Sequence, residues 1–256
     1  MRKNRLKEKI LSGQPAFGVS LMFPSPQIVD MIGKLGFDWI LIDCEHGSIS
    51  LESVELLAMA AEASEITPLA RPRSNNAEEI AGLLDRGVMG VQVPHVNTAA
   101  EAARAVAAVK YAPLGTRGLA AGTRSANYGF GLSMADYVIA ANRETLVCVQ
   151  LEEEEALHNV ADILQVEGVD VFFIGPSDLS QSMGHPGQPK APRVKEAMDK
   201  GFAAITAAGK APGSAGDAQA TLSYLNQGVL YLYTHLTTLL SMGSRQFLEA
   251  VRSRRA

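Results

Sequence analysis

Four short apolar runs in this chain each run out into polar or ionisable residues. Asp43, Glu45 and His46 close "WILIDCEH", Arg71 closes "ITPLAR", Gln150 and Glu152 close "LVCVQLE", and Ser177 and Asp178 close "VFFIGPSD". Ionised groups are costly to bury unpaired, so such a gathering needs partners or a metal. Hard divalent cations prefer oxygen donors, and a magnesium-like ion commonly takes one or two carboxylates and leaves its other positions to water and substrate. Glu152 and Asp178 fit that pattern. An arginine brings a permanent positive charge to a developing oxyanion. Histidine, whose ordinary pKa lies near neutrality, can take up and return a proton. Because side chains alternate along a strand, Cys148, Gln150 and Glu152 share one face, and Glu152 is the last residue the strand can set beside Gln150. Glu153, Glu154 and Glu155 fall in the next turn and first helical residues, where acidic groups complement the helix dipole. Plainer roles stand beside these. Asp178 can cap the short helical stretch "LSQSMG", His46 can be a turn histidine held by backbone, and Arg71 can pair with Asp43 or Glu45.

Groups so far apart in sequence converge only if separate strands end at one place. Short apolar runs alternate with longer amphipathic ones along the chain. The strand candidates are "AFGVSLM", "DWILIDCEH", "ITPLARP", "MGVQVPHV", "TLVCVQLE", "VDVFFIGPSD", "KAPGSAG" and "VLYLYTHL". Helical patterns lie between them, among them "SLESVELLAMAAEASE", "EEEALHNVADILQVEG" and "PRVKEAMDKGFAAITAAG". Several stop at a glycine (Gly36, Gly87, Gly168, Gly209, Gly228), the residue type favoured just past a helix end. Eight strand–helix units spaced too closely for separate domains predict an α/β protein. Its fold is a single-domain (β/α)8 TIM barrel over residues 1–256, with the site at the C-terminal ends of the strands. An open doubly wound sheet normally has fewer units and often a Gly-rich first turn, and that turn is missing. Two longer connections break the rhythm: "APLGTRGLAAGTRSANYGFGLSMADY", and "SQSMGHPGQPKAP", which should lie over the barrel mouth.

Composition narrows the partners. A net charge of −4 gives no reason to expect nucleic acid. The basic "MRKNRLKEKI" leads into no apolar signal-peptide core, and no apolar run reaches the roughly 18 residues that a membrane helix needs. Cys44 and Cys148 sit inside strand-like runs without zinc-like spacing and read as buried thiols in a reduced compartment. A cytoplasmic protein with a small-molecule partner, and neither nucleic acid nor membrane, is expected. The lysines lie in the N-terminal segment, in helices, in a loop (Lys190) or at the start of strand seven (Lys210), the wrong end of the barrel. None is placed for iminium catalysis, so an electron sink would be a metal plus Arg71.

The stretches "LIDCEHG", "ARP", "GTRG", "VQLE", "EGVDVFFIGPSDLSQSMGHPGQP" and "GKAPG" resemble the HpcH/HpaI family of metal-dependent aldolases, which act on 4-hydroxy-2-oxo acids and release pyruvate. The similarity spans nearly the whole chain, and "FFIGPSDLSQSMG" is its most specific part. The resemblance implies a barrel assembled as a homo-hexamer, a dimer of trimers with exchanged terminal helices, and a divalent cofactor (Mg²⁺, Mn²⁺ or Co²⁺). Glu152 and Asp178 match the metal-binding carboxylates, His46 the general acid/base and Asp43 a carboxylate that helps orient it. Arg71 matches the arginine on the substrate's 2-keto oxygen, with Gln150 beside it, and backbone groups at Ser177 and Asp178 match those holding the pyruvate carboxylate. The implied reaction is reversible cleavage of a 4-hydroxy-2-oxo acid, such as 4-hydroxy-2-oxoheptanedioate or a 2-dehydro-3-deoxyglucarate-like acid, to pyruvate and an aldehyde. Decarboxylation of oxaloacetate through the same enolate, or catalytically silent binding of a 2-oxo acid, are the alternatives. Two departures stand out. Ser214, Ala215 and Gly216 occupy places where relatives often carry bulkier apolar residues, which predicts a roomier pocket if Ala215 borders the aldehyde. Leu236 stands where many relatives have aspartate.

Overall fold

The computed structural model describes residues 1–253. Eight parallel strands close on themselves in chain order: β1 (Ala16–Leu21), β2 (Trp39–Asp43), β3 (Thr67–Arg71), β4 (Gly90–Val93), β5 (Leu146–Leu151), β6 (Val171–Ile174), β7 (Ala211–Ala215) and β8 (Tyr231–His235). This is the expected (β/α)8 barrel. The helices are α1 (Arg5–Leu11), α2 (Pro26–Lys34), α3 (Leu51–Ala63), α4 (Ala77–Asp85), α5 (Ala99–Val109), α6 (Met134–Glu144), α7 (Glu154–His158), α8 (Val160–Ile163), α9 (Pro176–Ser182), α10 (Pro192–Ala207), α11 (Ala218–Leu225) and α12 (Leu236–Arg252).

Local chemistry sets many of these boundaries. Ser25, Ser50, Asn76, Ser133 and Asp217 each accept a backbone N–H from their own helix's first turn, and Thr98 with Glu101 forms a reciprocal capping box. All five glycines expected past helix ends adopt positive φ, from 69° to 96°. Where the structure departs from expectation, polar side chains have intervened. β2 stops at Asp43 because its carboxylate accepts the N–H groups of Glu45 and His46 at 3.1 and 3.2 Å, turning the chain. Those two residues therefore lie on the loop, not on the strand. β6 stops at Ile174, and Pro176 opens α9, so Asp178 rides in a helical turn beyond the strand. The pattern "EEEALHNVADILQVEG" splits into α7 and α8 at Asn159, whose side chain donates to the Asn97 carbonyl at 2.8 Å.

The period-two alternation sorts the strands into two cores. Val19, Ile40, Ile42, Val91, Val147, Val149, Phe172 and Ile174 face the helices. Trp39, Leu41, Leu69, Leu146, Cys148, Phe173, Tyr231 and Tyr233 fill the barrel interior together with Leu6 and Ile10 of α1. The lower end is thus plugged by apolar side chains and by α1, whose capping residue Asn4 donates to the carbonyls of Met89 and Glu144. The long connection after α5 lies at this lower end, where Arg117 bonds Asp85 at the end of α4. It leads into α6, a helix not among the expected ones, which Ser133 caps. One level above the apolar layers, the inward positions turn polar: Ser20, Asp43, Arg71, Gln92, Gln150 and His235. This upper layer, at the C-terminal ends of the strands, is the candidate site.

Candidate active site

Asp43 and Arg71 end neighbouring strands in register. Arg71 donates through Nε and one terminal nitrogen to the two Asp43 oxygens at 3.0 and 2.5 Å, and its other terminal nitrogen lies 3.1 Å from Glu45. Burial works against the guanidinium charge, but the bond to Asp43 and the charge interactions with Tyr233, Asp43 and Glu45 together outweigh it and push the Arg71 pKa up. Asp43 is fully buried and thus has two tasks, holding the arginine fork and tying down the loop that carries His46. It reaches His46 through the backbone. The exposed imidazole itself stands with Nε2 3.7 Å from Glu45.

A second line of side chains fixes Glu152. Tyr231 O–H donates to the Gln92 side-chain oxygen at 2.9 Å, and Gln92 Nε2 donates to the Gln150 oxygen at 2.6 Å. Gln150 must then present its NH₂, which donates to Glu152 Oε2. Each donor fixes the orientation of the next amide, so the carboxylate is aimed from the barrel interior. Its other oxygen accepts the His95 backbone N–H at 2.9 Å. Burial pushes the Glu152 carboxyl up to about 7, with the Asp178 charge adding to it, against the bonds from Gln150 and His95. Asp178 sits in the first turn of α9, and that helix's cap position is Gly175, so the side chain is not spent on capping. Gly175 explains the close approach of α9: a Cβ there would lie 3.0 Å from both Cβ and Oε2 of Glu152.

His46, Arg71, Gln150, Ser177, Asp178 and Ala215 line one cavity of 640 Å³. Asp43 and Glu152 lie immediately beneath this lining, held by Arg71 and Gln150. The candidate catalytic, substrate-binding and metal-binding residues therefore gather at one end of the barrel. Ala215 ends β7 on the cavity wall as expected. The neighbouring Ser214 turns away and donates to the Ile174 carbonyl at 3.0 Å, and Leu236 packs into the core between sheet and helices. Pro189 and Lys190, from the connection expected over the mouth, also reach the cavity.

Two residues were missed by sequence reasoning, His95 and Gln92. His95 takes a positive φ of 53°, uncommon for a non-glycine residue. That conformation aims its N–H at Glu152 and sets its ring 3.3 Å from Glu45, 3.4 Å from Glu152 and 3.1 Å from Glu153. Burial opposes protonation of this imidazole, but Glu152, Glu153 and Glu45 outweigh it and raise the pKa. Glu45 links Arg71 with the two histidines. Gln92 orients Gln150, and the matching "VQV" and "VQL" at the fourth and fifth strands was the available signal. The thiols take no part. Burial pushes Cys44 up to about 12, and Cys148 is raised by its own burial.

This geometry can be set beside known proteins. The family model described as HpcH/HpaI aldolase/citrate lyase matches residues 18–229. The chain belongs to the HpcH/HpaI aldolase/citrate lyase family. It is 39% identical over 247 residues to a 4-hydroxy-2-oxo-heptane-1,7-dioate aldolase of Salmonella dublin, covering 94% of this chain and 92% of that protein. A hydroxypyruvate/pyruvate aldolase of Sagittula stellata is 41% identical over 203 residues, 79% of each chain. A crystal structure of an HpcH/HpaI aldolase/citrate lyase family protein from Burkholderia cenocepacia superposes with a TM-score of 0.92 at 30% identity, over 98% of this chain and all of that one. The segment matched by the HpcH/HpaI family runs from β1 to the end of α11, and so contains Asp43, His46, Arg71, Gln150, Glu152 and Asp178 but not β8. Among the described residues, no three His, Cys, Asp or Glu side chains converge as a self-sufficient metal site. Asp178 on the cavity wall and Glu152 beneath it, close enough for the charge of one to act on the other, would suit an ion that completes its shell from substrate and water.

Proposed function

We propose that this chain is a divalent-metal-dependent lyase that reversibly cleaves a 4-hydroxy-2-oxo acid to pyruvate and an aldehyde. The observation that carries the reading is one cavity lined by Asp178, Arg71 and Gln150, with Glu152 held beneath it by Gln150 and Asp43 by Arg71. The donor set fits a hard cation, and Gly175 clears the space next to Glu152 that a side chain would fill. When bound there, Mg²⁺, Mn²⁺ or Co²⁺ would add positive charge to the 2-keto and carboxylate oxygens as the enolate forms. Arg71 has five N–H donors; Asp43 takes one from Nε and one from a terminal nitrogen, and the other terminal nitrogen is only ion-paired with Glu45, so donors remain on both terminal nitrogens for the 2-keto oxygen. The first-turn N–H groups of Ser177 and Asp178, without carbonyls one turn back, are suited to the pyruvate carboxylate. His46 takes the C4-hydroxyl proton as the C3–C4 bond breaks, the bonding electrons move into the enolate, and the aldehyde leaves. Return of a proton to C3 gives pyruvate.

The test is purified protein with Mg²⁺ or Mn²⁺ and a 4-hydroxy-2-oxo acid, read as pyruvate released and abolished by chelator. His46→Ala is expected to slow cleavage by roughly 10²–10⁴-fold while Mn²⁺ affinity, titrated without substrate, stays within about threefold. The contacts of Glu152 and Asp178 do not involve the His46 ring. Equal loss of both properties would make His46 a structural residue.

The assembly belongs to this reading. α12 spans 17 residues and buries only Leu236 among those described. It exposes Leu240, Phe247, Leu248 and Val251. A groove of 430 Å³ runs beside it, lined by Phe17, Phe37, Leu222, Leu225 and Met242. Apolar surface of this extent marks an interface. A homo-hexamer, a dimer of trimers in which terminal helices pack on neighbouring barrels, would cover both. Light scattering is expected to give six chain masses, and Leu240→Glu combined with Phe247→Glu a smaller species. No described helix is long and apolar enough to cross a membrane.

A further inference from the structure

Two buried polar atoms beside the cavity take no part in the chemistry derived above. His235 ends β8, and Ser20 of β1 is its partner in the barrel register, so both side chains face the interior from adjacent positions of the upper polar layer. Ser20 is 1% exposed, and neither its Oγ nor the buried Nδ1 of His235 has a hydrogen-bond partner among the described residues. A buried hydroxyl or ring nitrogen without a partner is unfavourable and rare. The same layer is otherwise well satisfied, since Asp43, Arg71, Gln92, Gln150 and Glu152 all have partners. The buried Oε2 of Glu45 also lacks a hydrogen bond, but it stands 3.1 Å from the Arg71 guanidinium, a charge that Ser20 and His235 do not have beside them in an ion pair.

The cavity reaches His235, and Ser20 lies in the wall behind that lining. His235 lines it together with His46 and Arg71, and the imidazole stands at 90° to the Tyr233 ring with centroids 5.7 Å apart. Burial, with the Arg71 charge adding to it, lowers the His235 pKa, so the ring is neutral, with one donor and one acceptor nitrogen. A neutral imidazole beside a serine hydroxyl suits a group that both gives and accepts a hydrogen bond. It provides no charge to balance a carboxylate. Of the cavity's other cations besides Arg71, Lys195 is paired with Asp199 and Lys190 is exposed.

We propose that His235 and Ser20 form a subsite for a hydroxyl group carried on a bond-forming carbon or on the carbon next to it, so that the enzyme selects hydroxylated reactants. This deepens the proposed aldolase function and rests on it. The family match ends at residue 229, before β8, so it includes Ser20 but not His235. Two reactants can carry such a hydroxyl: a 2-hydroxyaldehyde, or a 2-oxo acid with a hydroxyl on C3.

Near-isosteric pairs separate these sources. With Mn²⁺-loaded protein, kcat/KM is measured for glycolaldehyde against propanal, each with pyruvate, and for hydroxypyruvate against 2-oxobutanoate, each with propanal. The wild type is expected to favour the hydroxylated member of one pair by on the order of tenfold or more. His235→Phe and Ser20→Ala should each bring that ratio close to one. Collapse in the first pair places the hydroxyl on the aldehyde, and collapse in the second places it on the oxo acid. Either result supports the subsite. Ratios that stay at wild-type values in both variants overturn it, and Ser20→Ala decides alone if His235→Phe does not fold. Absence of turnover by the wild type on every pair would sink the aldolase reading instead. The His235 side-chain nitrogen signals, followed by NMR, then decide the subsite. They should move on adding glycolaldehyde or hydroxypyruvate and stay still with the deoxy partners, and an identical response to both members overturns it.

Discussion

Glu152→Gln is expected to weaken Mn²⁺ binding by more than about a hundredfold and to take pyruvate release down to background. Loss of groups that merely orient a metal ligand already costs 10–100-fold, and here the ligand itself loses its charge. The change is close to isosteric. The new side-chain oxygen can still accept the His95 N–H, which lies 2.9 Å from Oε1 in the native protein. The amide nitrogen then faces the Gln150 NH₂, donor against donor, because the Tyr231–Gln92–Gln150 line fixes how that amide points. The variant should therefore fold with an unchanged circular dichroism spectrum and fail at the metal. Calorimetric titration with Mn²⁺ checks the affinity, and a coupled pyruvate assay checks the turnover. Asp178→Asn should behave alike, since its side chain supplies the second carboxylate.

Asp43→Ala is expected to damage the fold as well as the reaction. Asp43 is fully buried, and its removal strips Arg71 of two charge-assisted bonds and leaves the Glu45 and His46 N–H groups without their acceptor. Breaking a buried pair by deleting one partner typically costs about 3–5 kcal/mol. Arg71 retains Glu45 at 3.1 Å, which argues for the lower end, about 3 kcal/mol. Urea unfolding should show a lower midpoint with an unchanged slope. Activity should fall by more than the fraction of molecules unfolded, because the loop bearing His46 and the guanidinium that meets the 2-keto oxygen both lose their anchor. A variant of native stability would mean that Asp43 is not what holds the arginine.

The parts of the site legible in sequence were those governed by strand periodicity. Period two put Cys148, Gln150 and Glu152 on one face, and they share the barrel interior. It also explains why only the first glutamate of "EEEE" turns inward while Glu154 and Glu155 lie in the first turn of α7. Side-chain capture of backbone was not legible. Asp43 ends its strand three residues before His46, and Gly175–Pro176 carries Asp178 into a helix, which local apolar patterning does not encode. His95 escaped notice because its role lies in a positive-φ backbone that directs an N–H. Long-range register hid Ser20 and His235, since "SLM" and "YTHL" are neighbours only after the barrel closes. The apolar face of α12 was readable as amphipathic, but its bareness in the isolated chain becomes evident only in three dimensions.

Diffraction from crystals soaked with Mn²⁺ and pyruvate, recorded for the anomalous signal of manganese, tests the central claim most directly. The account predicts one strong peak contacted by Glu152 and Asp178, with pyruvate between it and Arg71. A peak bound elsewhere, or a pyruvate seated beside Arg71 while those carboxylates hold no ion, would contradict it.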